Sequence, residues 1–71
     1  MLEGKYIAKY IGVSRCGFVR DHEYIINIDN NEYGYMVSGV EDLTDEASNN
    51  GYITHASEKS LMTYWDNLEE V

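Results

Sequence analysis

Between His22 and Gly39 the chain reads HEYIINIDNNEYGYMVSG, two runs dense in β-branched and aromatic residues around a short polar stretch. Side chains alternate across a strand, so the faces can be assigned by parity. In the first run Tyr24, Ile26 and Ile28 share one face, with Ile25 and Asn27 on the other. In the second, Tyr33, Tyr35 and Val37 share a face, with Gly34, Met36 and Ser38 opposite. The pattern predicts a β-hairpin turning at Asp29-Asn30-Asn31-Glu32. A lone hairpin is marginal in water, so the remaining segments must cover its apolar face.

Only 71 residues are available for that task, which predicts one small domain over residues 1–71. Seven tyrosines, one phenylalanine and one tryptophan supply much of the burial, each aromatic side chain covering roughly 150–250 Å². Cys16 is the single cysteine and has no internal partner for a disulfide, a pattern that fits a reducing compartment. No run of about 18 apolar residues suggests a membrane span. The opening MLEGKYIAKYIG carries charge inside its apolar stretch and has no signal-peptide core. The expectation is a soluble cytoplasmic protein that does not associate with membranes.

Around the hairpin the chain alternates between short strands and polar loops. Residues 5–11 predict a first strand, with Tyr6, Ala8 and Tyr10 on one face and Ile7 and Ile11 on the other with Lys5 and Lys9. Residues 13–21 predict a long loop anchored by Phe18 and Val19, Phe18 serving as a plug under one end of the sheet. Residues 40–51 are acid-rich and predict a solvated loop, with one helical turn around Thr44–Ala47, ending in the turn signal Asn50-Gly51. Tyr52–His55 is a fourth short strand. Leu61, Tyr64, Trp65 and Leu68 then fall at i, i+3, i+4 and i+7. That spacing predicts a helix over residues 58–67, capped by Ser57 and anchored by Trp65. The fold class expected is mainly β: a small, SH3-like, strongly bent antiparallel sheet, closed as a partly open barrel, with a short C-terminal helix.

Several of these strings carry a family resemblance. Lys9-Tyr10-Ile11-Gly12, Glu23-Tyr24, Tyr52, Ala56-Ser57-Glu58-Lys59-Ser60-Leu61 and Tyr64-Trp65 resemble small uncharacterised proteins of bacteriophages and prophages of Gram-positive bacteria. The resemblance implies an SH3-like barrel and a phage context, and no activity or cofactor. The acidic stretch Glu41–Asn50 departs from the pattern.

Chemistry-bearing constellations are few. Cys16 with His22 or His55 would be a thiol nucleophile and base, yet no orienting motif accompanies them. One cysteine and two histidines do not supply the paired spacing of a zinc site. Asp29-Asn30-Asn31-Glu32 lacks the spacing of a calcium loop, and Glu41, Asp42, Asp45 and Glu46 read as a solvated acidic loop. No phosphate-cradling glycine motif is present. Neither an enzyme, a metal nor a cofactor is expected.

Charge is the stronger functional signal. The chain carries −8 overall. Residues 1–20 hold four basic residues against Glu3 alone, a balance of +3, and residues 21–71 hold twelve acids against Lys59 alone, a balance of −11. Such a molecule suits a basic protein surface better than nucleic-acid phosphate. The leading expectation is a non-enzymatic protein–protein interaction module that engages a host or phage protein through an acidic, tyrosine-rich surface. The residues assigned to that surface are Tyr33, Tyr35, Tyr52, Glu41, Asp42, Asp45 and Glu46, with the tyrosines forming an exposed aromatic strip. Two alternatives use the same charges differently. One is an acidic DNA mimic that inhibits a host nucleic-acid-binding protein. The other is a single-strand binder using Lys5, Lys9, Arg15 and Arg20 beside Tyr6 and Tyr10. An unprotected sheet edge would also allow a homodimer.

Overall fold

A computed structural model describes residues 2–71. The chain forms β1 (Gly4–Tyr10), β2 (Glu23–Asn31), β3 (Gly34–Asp42), β4 (Ala47–Ser48), β5 (Tyr52–His55), α1 (Glu58–Tyr64) and β6 (Trp65–Glu70). All strands join one antiparallel sheet in the order β4-β3-β2-β1-β6, with β5 also on β3. β5 lines Tyr35–Ser38 and β4 lines Glu41–Asp42, so the two short strands share one edge of β3. The sheet is open, bounded by β4 and β5 on one side and β6 on the other. The architecture is therefore mainly β with one short helix, as the alternation predicts.

The central pairing follows parity. Ile28 faces Val37 and Ile26 faces Gly39 across β2 and β3, while Ala8 faces Tyr24 across β1 and β2. Tyr10, Tyr24, Ile26, Ile28, Val37, Ile53, Leu61 and Trp65 are all buried on the inner side. Phe18 completes this core from the early loop, 5.1 Å from the Tyr24 ring and 5.0 Å from Trp65, edge-on to both. Edge-to-face packing suits the ring quadrupoles. The loop reaches inward through a tight turn in which the Arg15 and Phe18 amides and carbonyls bond reciprocally. Cys16 and Gly17 both take positive φ there, 54° and 84°. Phe18 is the expected plug; Val19, the second expected anchor, is exposed.

Four expectations are corrected. The hairpin turns at Glu32-Tyr33, not at Asp29–Glu32, because Asp29 and Asn30 continue the ladder against Met36 and Tyr35. The Asn31 side chain accepts the Tyr33 amide at 2.8 Å, and Gly34, at φ 124°, closes the turn. The loop after β3 forms no helical turn. Asp42 draws the chain back on itself, and Glu46 at φ 53° directs it into β4. The helix ends at Tyr64, and Trp65 opens a strand instead of anchoring the helix. The free edge of β1 supplies the reason: Tyr10 pairs with Trp65, and the Ile11 amide donates to the Tyr64 carbonyl at 2.8 Å. Six strands result where four were expected.

Two bulges bend the sheet. Val40 is the extra residue between the Ile25–Glu41 and Ile26–Gly39 pairs. Asn67 and Leu68 together oppose Ala8 on β1, with Asn67 at φ 54°. Such insertions increase local twist and re-aim side chains. On the outer face the register aligns Glu69, Ile7, Ile25 and Glu41 in one row, and Lys5, Asn27, Ser38 and Tyr52 in the next.

Candidate functional site

Asp42 ends β3 opposite Tyr24 on the inner side, and only 6% of it is exposed. A carboxylate so placed must be hydrogen-bonded. Its Oδ1 accepts the amides of Thr44 and Asp45 at 2.9 and 3.1 Å, a side-chain-to-backbone turn. Its Oδ2 lies 2.9 Å from His22 Nδ1, and Asp45 Oδ2 lies 3.7 Å from the same nitrogen. Two further bonds stitch this turn to the start of β2. The Leu43 amide donates to the Glu23 carbonyl at 2.7 Å, and the Glu23 amide donates to Thr44 Oγ1 at 2.8 Å.

The stitching gathers charge at one end of the sheet. Asp45 and Glu46 in the turn, Asp21 and Glu23 at the β2 entrance and Glu41 on the outer face surround His22 and Asp42. The hydrogen bond that His22 donates to Asp42 raises the His22 pKa above its ordinary value, and the charges of Asp42, Asp45 and Asp21 reinforce it against the cost of burial. Burial pushes Asp42 upward. The bonds from His22 and from the Asp45 and Thr44 amides outweigh that and hold its carboxyl below the usual range. The pair thus favours the protonated imidazole beside the carboxylate at the base of an acidic turn.

One donor atom from each of His22, Asp42 and Asp45 lies within 4.8 Å of the others, a spacing compatible with one cation. The ion pair accounts for the arrangement without one. Of the four acids assigned to the loop, Asp42 and Asp45 meet at His22. Glu46 is exposed in the turn, and Glu41 faces out beside Ile25. His22 itself was not assigned to this surface by sequence reasoning. Its partner lies twenty positions away, and no spacing links them.

The expected tyrosine strip does not form. Tyr33 is 77% exposed at the hairpin tip, the opposite end of β2 and β3 from the acids. Tyr52 is 64% exposed on the outer face, beside a shallow groove lined by Met36, Ser38 and Asn50. Tyr35 pairs with buried His55 and packs against the core on the inner face. The three rings stand on two faces and one turn.

The basic residues do not gather on one aromatic patch either: Arg15 alone lies over a ring, that of Tyr64, at 5.4 Å. Lys9 stands between Asp66 and Glu23 in the register, and Tyr10 is wholly buried. Neither histidine bonds to Cys16: His22 holds Asp42, and His55 accepts the Trp65 indole proton. Among the described residues no helix is long and apolar enough to cross a membrane. Comparison with protein-family models, with curated proteins and with solved structures finds no match to the chain.

Proposed function

We propose that the chain is a non-enzymatic protein-binding module whose acidic end docks on a basic surface of a partner protein. The observation that carries the reading is the disposition of charge around the Asp42 turn. Among the described residues the only ion pairs are those of His22 with Asp42 and Asp45. Asp21, Glu23, Glu41 and Glu46 have no salt-bridge partner among the described residues and stand ready for lysines or arginines of another molecule. The turn that carries Asp45 and Glu46 is fixed by Asp42 and by the β2 entrance. Docking therefore orders little additional backbone, which lowers the entropic cost of association. Opposed potentials of this kind accelerate encounter and make it sensitive to salt.

The test compares immobilised wild type with the triple variant Glu41→Lys, Asp45→Lys, Glu46→Lys, circular dichroism first establishing that both are folded. A protein retained from lysate by wild type at about 0.15 M salt, released near 0.5 M and ignored by the variant is the expected result. Equal retention by both would move the interface elsewhere, and no retained protein would remove the module. If duplex DNA displaces the partner, the carboxylates stand where phosphates would lie and the partner is a nucleic-acid-binding protein.

A further inference from the structure

We propose that His55 and Trp65 form a clasp across α1 that mild acid opens, freeing the helix and β6 from the core. His55 ends β5 and Trp65 begins β6, so residues 56–64 between them contain the whole helix. Both side chains are buried, at 2% and 1% exposure. The Trp65 indole Nε1 donates to His55 Nε2 at 3.2 Å. An indole can only donate, so Nε2 must be the nitrogen without a proton, with the ring proton on Nδ1. A second proton has to enter at Nε2. It would set an N–H against an N–H and leave a cation inside an apolar core.

The groups around His55 offer that cation no counter-charge. Tyr35 stands opposite it on β3, and the Tyr64 ring of α1 lies 5.1 Å from the imidazole. The Arg15 guanidinium covers the outer side of Tyr64 at 5.4 Å. Tyr10 of β1 completes the aromatic group, 4.9 Å from Trp65 and 6.4 Å from Tyr64. Burial, and then the charge of Arg15, hold the His55 pKa below its ordinary value, with no carboxylate acting on it.

The clasp matters because α1 has few other anchors, chiefly the Tyr64 ring on Tyr10 and the Tyr64 carbonyl that accepts the Ile11 amide. Leu61 is its one buried residue, and the helix has only seven residues. Helices this short depend on tertiary contacts. With the folded pKa depressed, the unfolded or opened form binds the proton more tightly. The clasp therefore contributes fully above about pH 6.5 and is lost as pH falls below that value.

Trp65 is the only tryptophan, so its fluorescence reports on the clasp directly. The full chain is titrated from about pH 7.5 to about pH 4.5, a window in which histidines change charge. Wild type is expected to show a red shift in emission with loss of near-ultraviolet dichroism. His55→Gln, whose amide oxygen accepts the indole proton and does not titrate, is expected to keep buried emission throughout. His22→Gln is expected to retain the wild-type transition. An unchanged transition in His55→Gln, its loss in His22→Gln or a flat wild-type trace would each overturn the clasp. Should His55→Gln fail to fold, NMR of the wild type decides. The Trp65 indole N–H and the His55 ring protons are expected to titrate with one midpoint, and separate midpoints would overturn the proposal.

Discussion

At the scale of single residues, His22 hydrogen-bonds the Asp42 carboxylate on the rim while His55 accepts a hydrogen bond from Trp65 inside the core, so the two respond to acid with opposite sign. The raised His22 pKa means that its contribution is complete below about pH 6.5 and is lost as pH rises through the folded value. The depressed His55 pKa gives the reverse. Thermal midpoints measured against pH should therefore peak between the two effects, and His22→Gln should flatten the alkaline side while keeping the loss below about pH 6.5 that belongs to His55. Asn49 carries a different burden. Its Nδ2 donates to the Gly17 carbonyl at 2.8 Å and its Oδ1 accepts the Gly51 amide at 2.7 Å, tying the early loop to the β4–β5 connection. Its side chain lies over Gly39, where a Cβ would collide with it. Asn49→Ala should cost about 1 kcal/mol in urea unfolding, because it removes two part-buried hydrogen bonds, to the Gly17 carbonyl and from the Gly51 amide. Neither role was visible in the sequence. Asn49 reads there only as one residue of the solvated acid-rich loop, and the partners of both side chains are set by folding rather than by spacing.

Among the elements, β6 is the most instructive. Leu61, Tyr64, Trp65 and Leu68 have the spacing of a helical stripe, and the sequence reading extended the helix to residue 67. In a regular strand Trp65 and Leu68, three apart, would face opposite ways. The bulge at Asn67 inserts the residue that returns both to the core side, where Trp65 is buried and Leu68 packs against it. One spacing thus served two structures, and the unpaired edge of β1 decided between them. Asn67 at φ 54° is central to the device. Asn67→Gly should leave stability nearly unchanged, while Asn67→Val should lower it by about 1–2 kcal/mol, both by denaturant titration. By contrast β1, β2 and the inner face of β3 were legible because strict alternation admits only one assignment of faces. The hairpin turn was misplaced because Asp29 and Asn30 are turn-forming residues that here remain in the ladder.

For the molecule as a whole, the mainly β architecture with a short helix followed from alternation and turn chemistry, and the segregation of charge followed from counting. What composition left open was which acids would meet. The answer depends on a turn stitched to a strand twenty positions earlier, and the same stitching leaves Tyr33 at the far end. The strand order has a further consequence for how the protein is made. β1 borders both β2 and β6, and the Val71 amide bonds the Lys5 carbonyl at 3.1 Å. β1 thus waits for β6, the strand farthest from it in sequence, before its second border is filled and Trp65 can seal the interior. Until β6 has been synthesised the growing polypeptide carries an uncovered aromatic nucleus, and closure of the fold waits on its most distant pairing.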